Sequence, residues 1–154
     1  MRARDLAEEF PTVGLGADAL EAARTMAEAK RPGLVVLDDN GAPRTVLPGS
    51  QVLRFAIPRY VQEDPNLARV YDERASDELF SRLSGKPVRE LLPELHDADE
   101  LPVVDPDATS IEVAAVLAQM RSPLAVVMDG ETVLGVITVS RLLRALLPGG
   151  ATAE

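Results

Sequence analysis

Few side chains in this chain are of a type and spacing that could do chemistry. His96 is the single histidine, in the polar stretch His96-Asp-Ala-Asp-Glu100. An imidazole beside carboxylates can hold a metal, but a charged run of this kind reads as a solvated loop. There is no cysteine, which removes disulfides, thiolate zinc sites and a cysteine nucleophile. The sequence has no Gly-rich phosphate loop, no Ser-His-Asp set and no carboxylate pair in a recognisable spacing. Catalysis is therefore not expected, and no metal or required cofactor is implied. What remains are arginines and hydroxyls that stand in two matching places: Arg31 beside Pro32 and Gly33, and Arg121 beside Ser122, Pro123 and Leu124.

Those places match because the chain states one pattern twice. Asp18-Ala-Leu-Glu21, an apolar helical run, Pro32 and Leu34-Val-Val-Leu37 recur as Thr109-Ser-Ile-Glu112, a second such run, Pro123 and Ala125-Val-Val-Met128. Asp18 and Thr109 are N-caps with a glutamate three residues on, the spacing of a capping box. Leu20, Ala23 and Ala27 line one face of the first helix; Ile111, Ala114, Ala115 and Ala118 line one face of the second. Lys30-Arg31-Pro32 and Arg121-Ser122-Pro123 end the helices, the bases suiting the negative helix terminus and proline stopping the run. The apolar tetrads are too short for helices and read as buried strands. Asn40-Gly41 and Asp129-Gly130 then turn the chain into returning strands at Arg44–Leu47 and Thr132–Ile137. Closing helices are expected over Gly49–Ala56 and Val139–Leu147. A helical turn leads each copy, Ala3-Arg-Asp-Leu6 and Val88-Arg-Glu-Leu91, followed by the extended pieces Thr12-Val13 and Leu101–Val104.

The expected class is α+β: two tandem β-α-β-β-α units, residues 1–57 and 87–147, packed with pseudo-two-fold symmetry, with function in the clefts between copies. Residues 58–86 have no counterpart in the second copy. Asp64-Pro65 looks like a helix start, and Leu67, Val70, Tyr71 and Arg74, then Leu79, Phe80 and Leu83, keep helical spacing. This predicts a short helical insertion, read either as a linker covering an open edge or as a partner-binding or dimer-extending arm. Residues 148–154 are expected to be a disordered tail.

Bulk properties exclude several functions. A net charge of −9, with no basic stripe and only 3% aromatic residues, argues against nucleic-acid binding. The charged start and the lack of a long apolar run predict neither a signal peptide nor membrane insertion. A cytoplasmic protein is expected.

The doubled β-α-β-β-α order, with Arg-Asp/Glu-Leu ahead of each copy, resembles the tandem CBS-domain pair, or Bateman module, of the stand-alone bacterial type. Gly135-Val-Ile-Thr138-Val-Ser-Arg-Leu-Leu143 is similar to that family's strand-to-helix signature of Gly, two apolar residues, Thr or Ser, two free positions, Asp and apolar residues. The resemblance implies a non-catalytic sensor, commonly a homodimer, that binds AMP, ADP, ATP, NAD or S-adenosylmethionine between its units and modulates a partner enzyme or transporter. It also implies that Thr138 contacts phosphate. At the family's ribose-binding Asp this chain holds Arg141, and in the first copy Pro48 and Gln51 stand at the Thr and Asp places.

An arginine cannot accept a hydrogen bond from a ribose. Arg141 could instead hold phosphate or carboxylate, or pair with Asp129, or stand as an exposed helix-start residue. Gln51 retains one acceptor. The family's other contacts fall on Arg31, Gly33, Arg121, Ser122, Pro123, Leu124 and Val103, with apolar residues sandwiching adenine and arginines neutralising phosphate. The missing carboxylates leave a second expectation open: a degenerate pair that only dimerises or binds protein.

Overall fold

The computed structural model of the protein describes residues 1–92 and 101–149. The chain runs through α1 (Ala3–Leu6), β1 (Thr12–Gly14), α2 (Ala19–Ala29), β2 (Gly33–Leu37), β3 (Pro43–Pro48) and α3 (Gly49–Ala56). An intervening segment holds α4 (Arg59–Glu63), a 3-10 turn (Pro65–Val70), α5 (Glu73–Ser81) and a second 3-10 turn (Val88–Glu90). The order then repeats as β4 (Val103–Val104), α6 (Ser110–Met120), β5 (Leu124–Asp129), β6 (Thr132–Thr138) and α7 (Val139–Leu146).

Local signals place these elements. The Asp18 side chain accepts from the Glu21 amide at the start of α2, and Thr109 does the same for Glu112 in α6. Of these two helices, α6 alone closes the full capping box, the Glu112 carboxylate taking the Thr109 amide at 3.3 Å. In α2, Glu21 is drawn to Arg24 at 2.6 Å, and Asp18 takes a second amide, that of Gly85, at 2.6 Å. Both helices end on a left-handed basic residue, Lys30 (φ 55) and Arg121 (φ 52). A left-handed residue there lets the chain reverse and its amide bond back to the last helical turn.

Each repeat builds one three-stranded sheet. β1 pairs parallel and β3 antiparallel with the central β2; β4 and β6 flank β5 in the same way. Both antiparallel ladders shift register at the same place, at Val36/Leu37 and at Val127/Met128. Leu34, Val35 and Val36, and Leu124 through Val127, are buried. Burial on both faces explains why these strands read as unbroken apolar runs rather than alternating ones.

The contacts divide the chain into two compact units, residues 1–10 with 100–154, and residues 11–99. The cuts fall elsewhere than the sequence boundaries at 57/58 and 86/87, because the leading helical turns are exchanged. In the first-named unit the Ala3 amide donates to the Ala108 carbonyl at 2.8 Å and the Arg4 amide to Pro106 at 3.0 Å. Glu8 and Val136 exchange both backbone bonds, at 2.8 and 2.9 Å. Ala3 and Leu6 enter the core with Val113, Leu117, Ala125, Val127, Ile137 and Leu142. Gly135 belongs to this contact: a Cβ there would stand 2.7 Å from the Glu8 carbonyl oxygen.

In the other unit the Val88 amide donates to Ala17 at 2.8 Å and the Arg89 amide to Leu15 at 2.9 Å. Val88 and Leu91 join Ala22, Met26, Leu34, Leu47 and Val52 in its core. Each turn thus docks on the repeat other than the one it precedes.

The inserted segment is less regular than its spacing predicts. Asp64 does cap at Pro65, accepting the Asn66 amide, but a 3-10 turn follows and stops at Val70. Asp72 ends that turn by capping a new helix, α5, at the Ala75 amide. Leu67 and Val70 are exposed, Val70 by 85%, while Val61, Leu79 and Leu83 supply the burial. The Tyr60 and Tyr71 hydroxyls meet at 3.0 Å. His96, its acidic neighbours and the tail from residue 150 lie outside the described residues. Among the described residues no helix is long and apolar enough to cross a membrane.

Candidate functional site

The second repeat gathers most of the candidate residues at the foot of one strand pair. Leu124 and Thr138 are register partners across β5 and β6. The Val139 amide donates to the Pro123 carbonyl at 3.0 Å, so residues 121–124 lie against the start of α7. Ser122 is committed locally: its hydroxyl donates to the Leu124 carbonyl at 2.7 Å. The Leu124 side chain is buried, whereas Val103, opposite Val126 on the neighbouring β4, is 50% exposed. Arg121 is an exposed left-handed helix cap.

Thr138 is the N-cap of α7. Its oxygen accepts the Arg141 amide at 3.2 Å, with the Ser140 hydroxyl 3.4 Å away. A capping hydroxyl still has its proton to give, so Thr138 can donate to an incoming phosphate or carboxylate oxygen while holding the helix.

Arg141 does neither of the jobs its sequence position leaves open through Asp129 or free solvent. Its guanidinium reaches back to the end of α1, Nε donating to the Leu6 carbonyl at 3.3 Å and a terminal nitrogen to the Asp5 carbonyl at 3.4 Å. Carbonyls at a helix end have no intrahelical partner and carry negative partial charge, which suits an arginine. Gln51 does the same in the first repeat: its amide nitrogen donates to the Leu91 carbonyl at 2.8 Å. Leu6 and Leu91 are equivalent positions of the two leading turns. Both repeats therefore place a donor where the family signature has an acid, and use it to hold the turn.

The remaining first-repeat candidates are arranged as in the second. Gly33 is the register partner of Pro48, and the Gly49 amide donates to the Pro32 carbonyl at 2.8 Å. A Cβ on Gly33 would stand 2.8 Å from the Leu47 carbonyl oxygen, so the close approach it permits is to its own sheet. Arg31 is half-buried just after the left-handed Lys30. By backbone geometry Lys30, not Arg31, is the counterpart of Arg121. Pro48 caps α3 without any side-chain bond, so no hydroxyl answers Thr138 here. The partners that sequence reasoning missed, the Leu6 and Leu91 carbonyls, are backbone atoms and carry no side-chain signature. Among the described residues no group of three His, Asp or Glu side chains could hold a metal.

A family profile for the CBS domain matches residues 87–148. The chain is similar to a CBS domain-containing protein of unknown function from Kribbella flavida, with 49% identity over 95% of this chain and 98% of that one, at a TM-score of 0.83. It is similar at 25% identity to the CBS domain of a CBS domain-containing membrane protein from Sphaerobacter thermophilus, covering 96% and 88% of the two chains, at a TM-score of 0.70. CBSX2, solved in complex with AMP, shares the fold at 20% identity over 94% of each chain, with a TM-score of 0.63. No curated protein matches the chain.

Proposed function

The chain belongs to the CBS-domain family, and from that premise we propose that it is a regulatory module, not an enzyme, that binds an adenosine-containing metabolite and passes its occupancy to a partner protein. The observation that carries this reading is Thr138, a helix cap whose hydroxyl proton is available beside the turn at residues 121–124. Arg121 stands ready to neutralise phosphate, and exposed Val103 offers an apolar surface for a base. The AMP held by the structurally similar CBSX2 supports the choice of ligand class. The protein is proposed to act in the cytoplasm as a homodimer, its output going to a separate enzyme or transporter.

A second reading has its own observation. Gln51 and Arg141 spend their donors on backbone carbonyls, and neither offers the two acceptor oxygens that clasp a ribose. On that reading the pair is a dimerisation or protein-interaction module with no nucleotide ligand. A thermal-shift panel of AMP, ADP, ATP, NAD and S-adenosylmethionine separates the two. One-site binding stabilises by about 2.7 kcal/mol at a hundredfold excess over Kd, and Thr138→Val should remove most of that shift. No shift with any of them at millimolar concentration leaves the interaction module as the function. Light scattering that finds a monomer at micromolar concentrations rules out the homodimer.

A further inference from the structure

The two leading turns are tied down by unlike groups. On one, Arg141 of α7 donates to the Leu6 carbonyl at 3.3 Å and to the Asp5 carbonyl at 3.4 Å. On the other, Gln51 of α3 donates to the Leu91 carbonyl at 2.8 Å. Bonds from nitrogen to oxygen are best at about 2.9 Å, and those of Arg141 are longer than the ordinary range. Gln51 makes the firmer tie.

The neighbours of the two ties differ as well. Arg141 shares the first turn of α7 with Thr138, whose oxygen accepts the Arg141 amide at 3.2 Å and whose hydroxyl can donate to an anion. Pro48 stands at the equivalent place before Gln51 and offers no hydroxyl. Both acceptors of Arg141 are neutral carbonyls, so these bonds leave its positive charge uncompensated. A guanidinium prefers an oxyanion, which meets its fork with two short bonds, to a neutral carbonyl. An anion at Thr138 therefore competes for Arg141 against two long bonds.

We propose that Arg141 is a ligand-operated latch on the N-terminal turn. An anionic group bound at the Thr138 hydroxyl draws the guanidinium off Leu6 and Asp5 and loosens residues 3–8, while the Gln51 tie stays shut. The latch requires that Thr138 bind a nucleotide, as proposed above, and supplies the step by which occupancy reaches the surface. With four residues, α1 is too short to hold itself. It keeps Ala3 and Leu6 in the core, the Ala3 and Arg4 amides on Ala108 and Pro106, and the Glu8 pairing with Val136. The change is thus a local opening, not a release. Arg2, Arg4 and Asp5 are exposed on this turn and carry the opening to a partner.

The test is hydrogen exchange on the full chain at saturating AMP, with adenosine as the arm that lacks an anion. Binding by itself stabilises the fold and slows exchange wherever global opening controls it. The latch predicts the reverse at one place. The Ala7 and Glu8 amides should exchange about fivefold faster with AMP, as expected for the loss of one hydrogen-bonded tie. The Val88 and Arg89 amides, on the turn that Gln51 holds, should not quicken, and adenosine should quicken none of the four. In Arg141→Met, or in Arg141→Lys should the first not fold, the Ala7 and Glu8 amides should already be fast and saturating AMP should add nothing.

AMP that raises the melting temperature yet leaves Ala7 and Glu8 unchanged or slower overturns the latch and leaves the nucleotide reading standing. AMP that gives no thermal shift overturns both. Quickening with adenosine, or an Arg141 variant that still responds to AMP, assigns the motion to another group and overturns the latch.

Discussion

Asp18 holds two distant parts of the chain with a single side chain. One carboxylate caps α2 through the Glu21 amide and also accepts the Gly85 amide at the far end of the inserted segment. These bonds, that from Gly85 foremost and then that from Glu21, hold its pKa below the ordinary aspartate value of 3.8. The folded pKa being the lower one, the stabilisation is complete above about pH 4 and is lost as the pH falls through the folded value. Asp18→Asn keeps a cap acceptor but removes the charge. It should lower the urea midpoint at pH 7 and flatten the fall in stability below about pH 4; an acid profile as steep as that of the parent chain would show that other carboxylates control it. The cap was visible in the sequence, since Asp with Glu three residues on is a local signal. The bond to Gly85 was not, because it joins residues 67 positions apart.

At the scale of elements, the two closing helices are locked to the leading turns by side chains at one repeated position. Gln51 reaches Leu91 and Arg141 reaches Leu6, across 40 and 135 residues of the chain. Replacing either with an apolar residue of similar size leaves a backbone carbonyl without its partner and should cost about 1 kcal/mol. In Arg141→Met, hydrogen exchange at the Ala7 and Glu8 amides should quicken, while exchange within α2 stays at its parental rate. Unchanged protection at Ala7 and Glu8 would mean that the core contacts of Leu6 suffice to hold the turn. The departure from the family's acid was readable at both positions. What the substituted residues do instead was not, because the acceptors are main-chain atoms.

For the whole molecule, the exchange of leading turns has a consequence for stability. Removing residues 1–10 takes away Ala3 and Leu6, fully buried, and four backbone hydrogen bonds to residues 106, 108 and 136. Burial of Leu6 alone is worth about 2 kcal/mol. The truncated chain should therefore lose amide protection in β5 and β6 while β2 and β3 keep theirs, as measured by hydrogen exchange with peptide-level mass spectrometry. Equal loss in all four strands would show that the two units unfold as one.

Caps, helix-stopping prolines, buried tetrads and turn glycines act on residues a few positions away, so their pattern could be read along the chain. From it followed the doubled unit, its α+β class, the bounds of α3 and the place of Thr138 at the head of α7. The destination of each leading turn could not be read, because Ala3-Arg-Asp-Leu6 and Val88-Arg-Glu-Leu91 present nearly the same apolar pattern and would fit either core. Folding brought Gln51 to Leu91 and Arg141 to Leu6. Those juxtapositions depend on how distant segments pack, and no local preference encodes them.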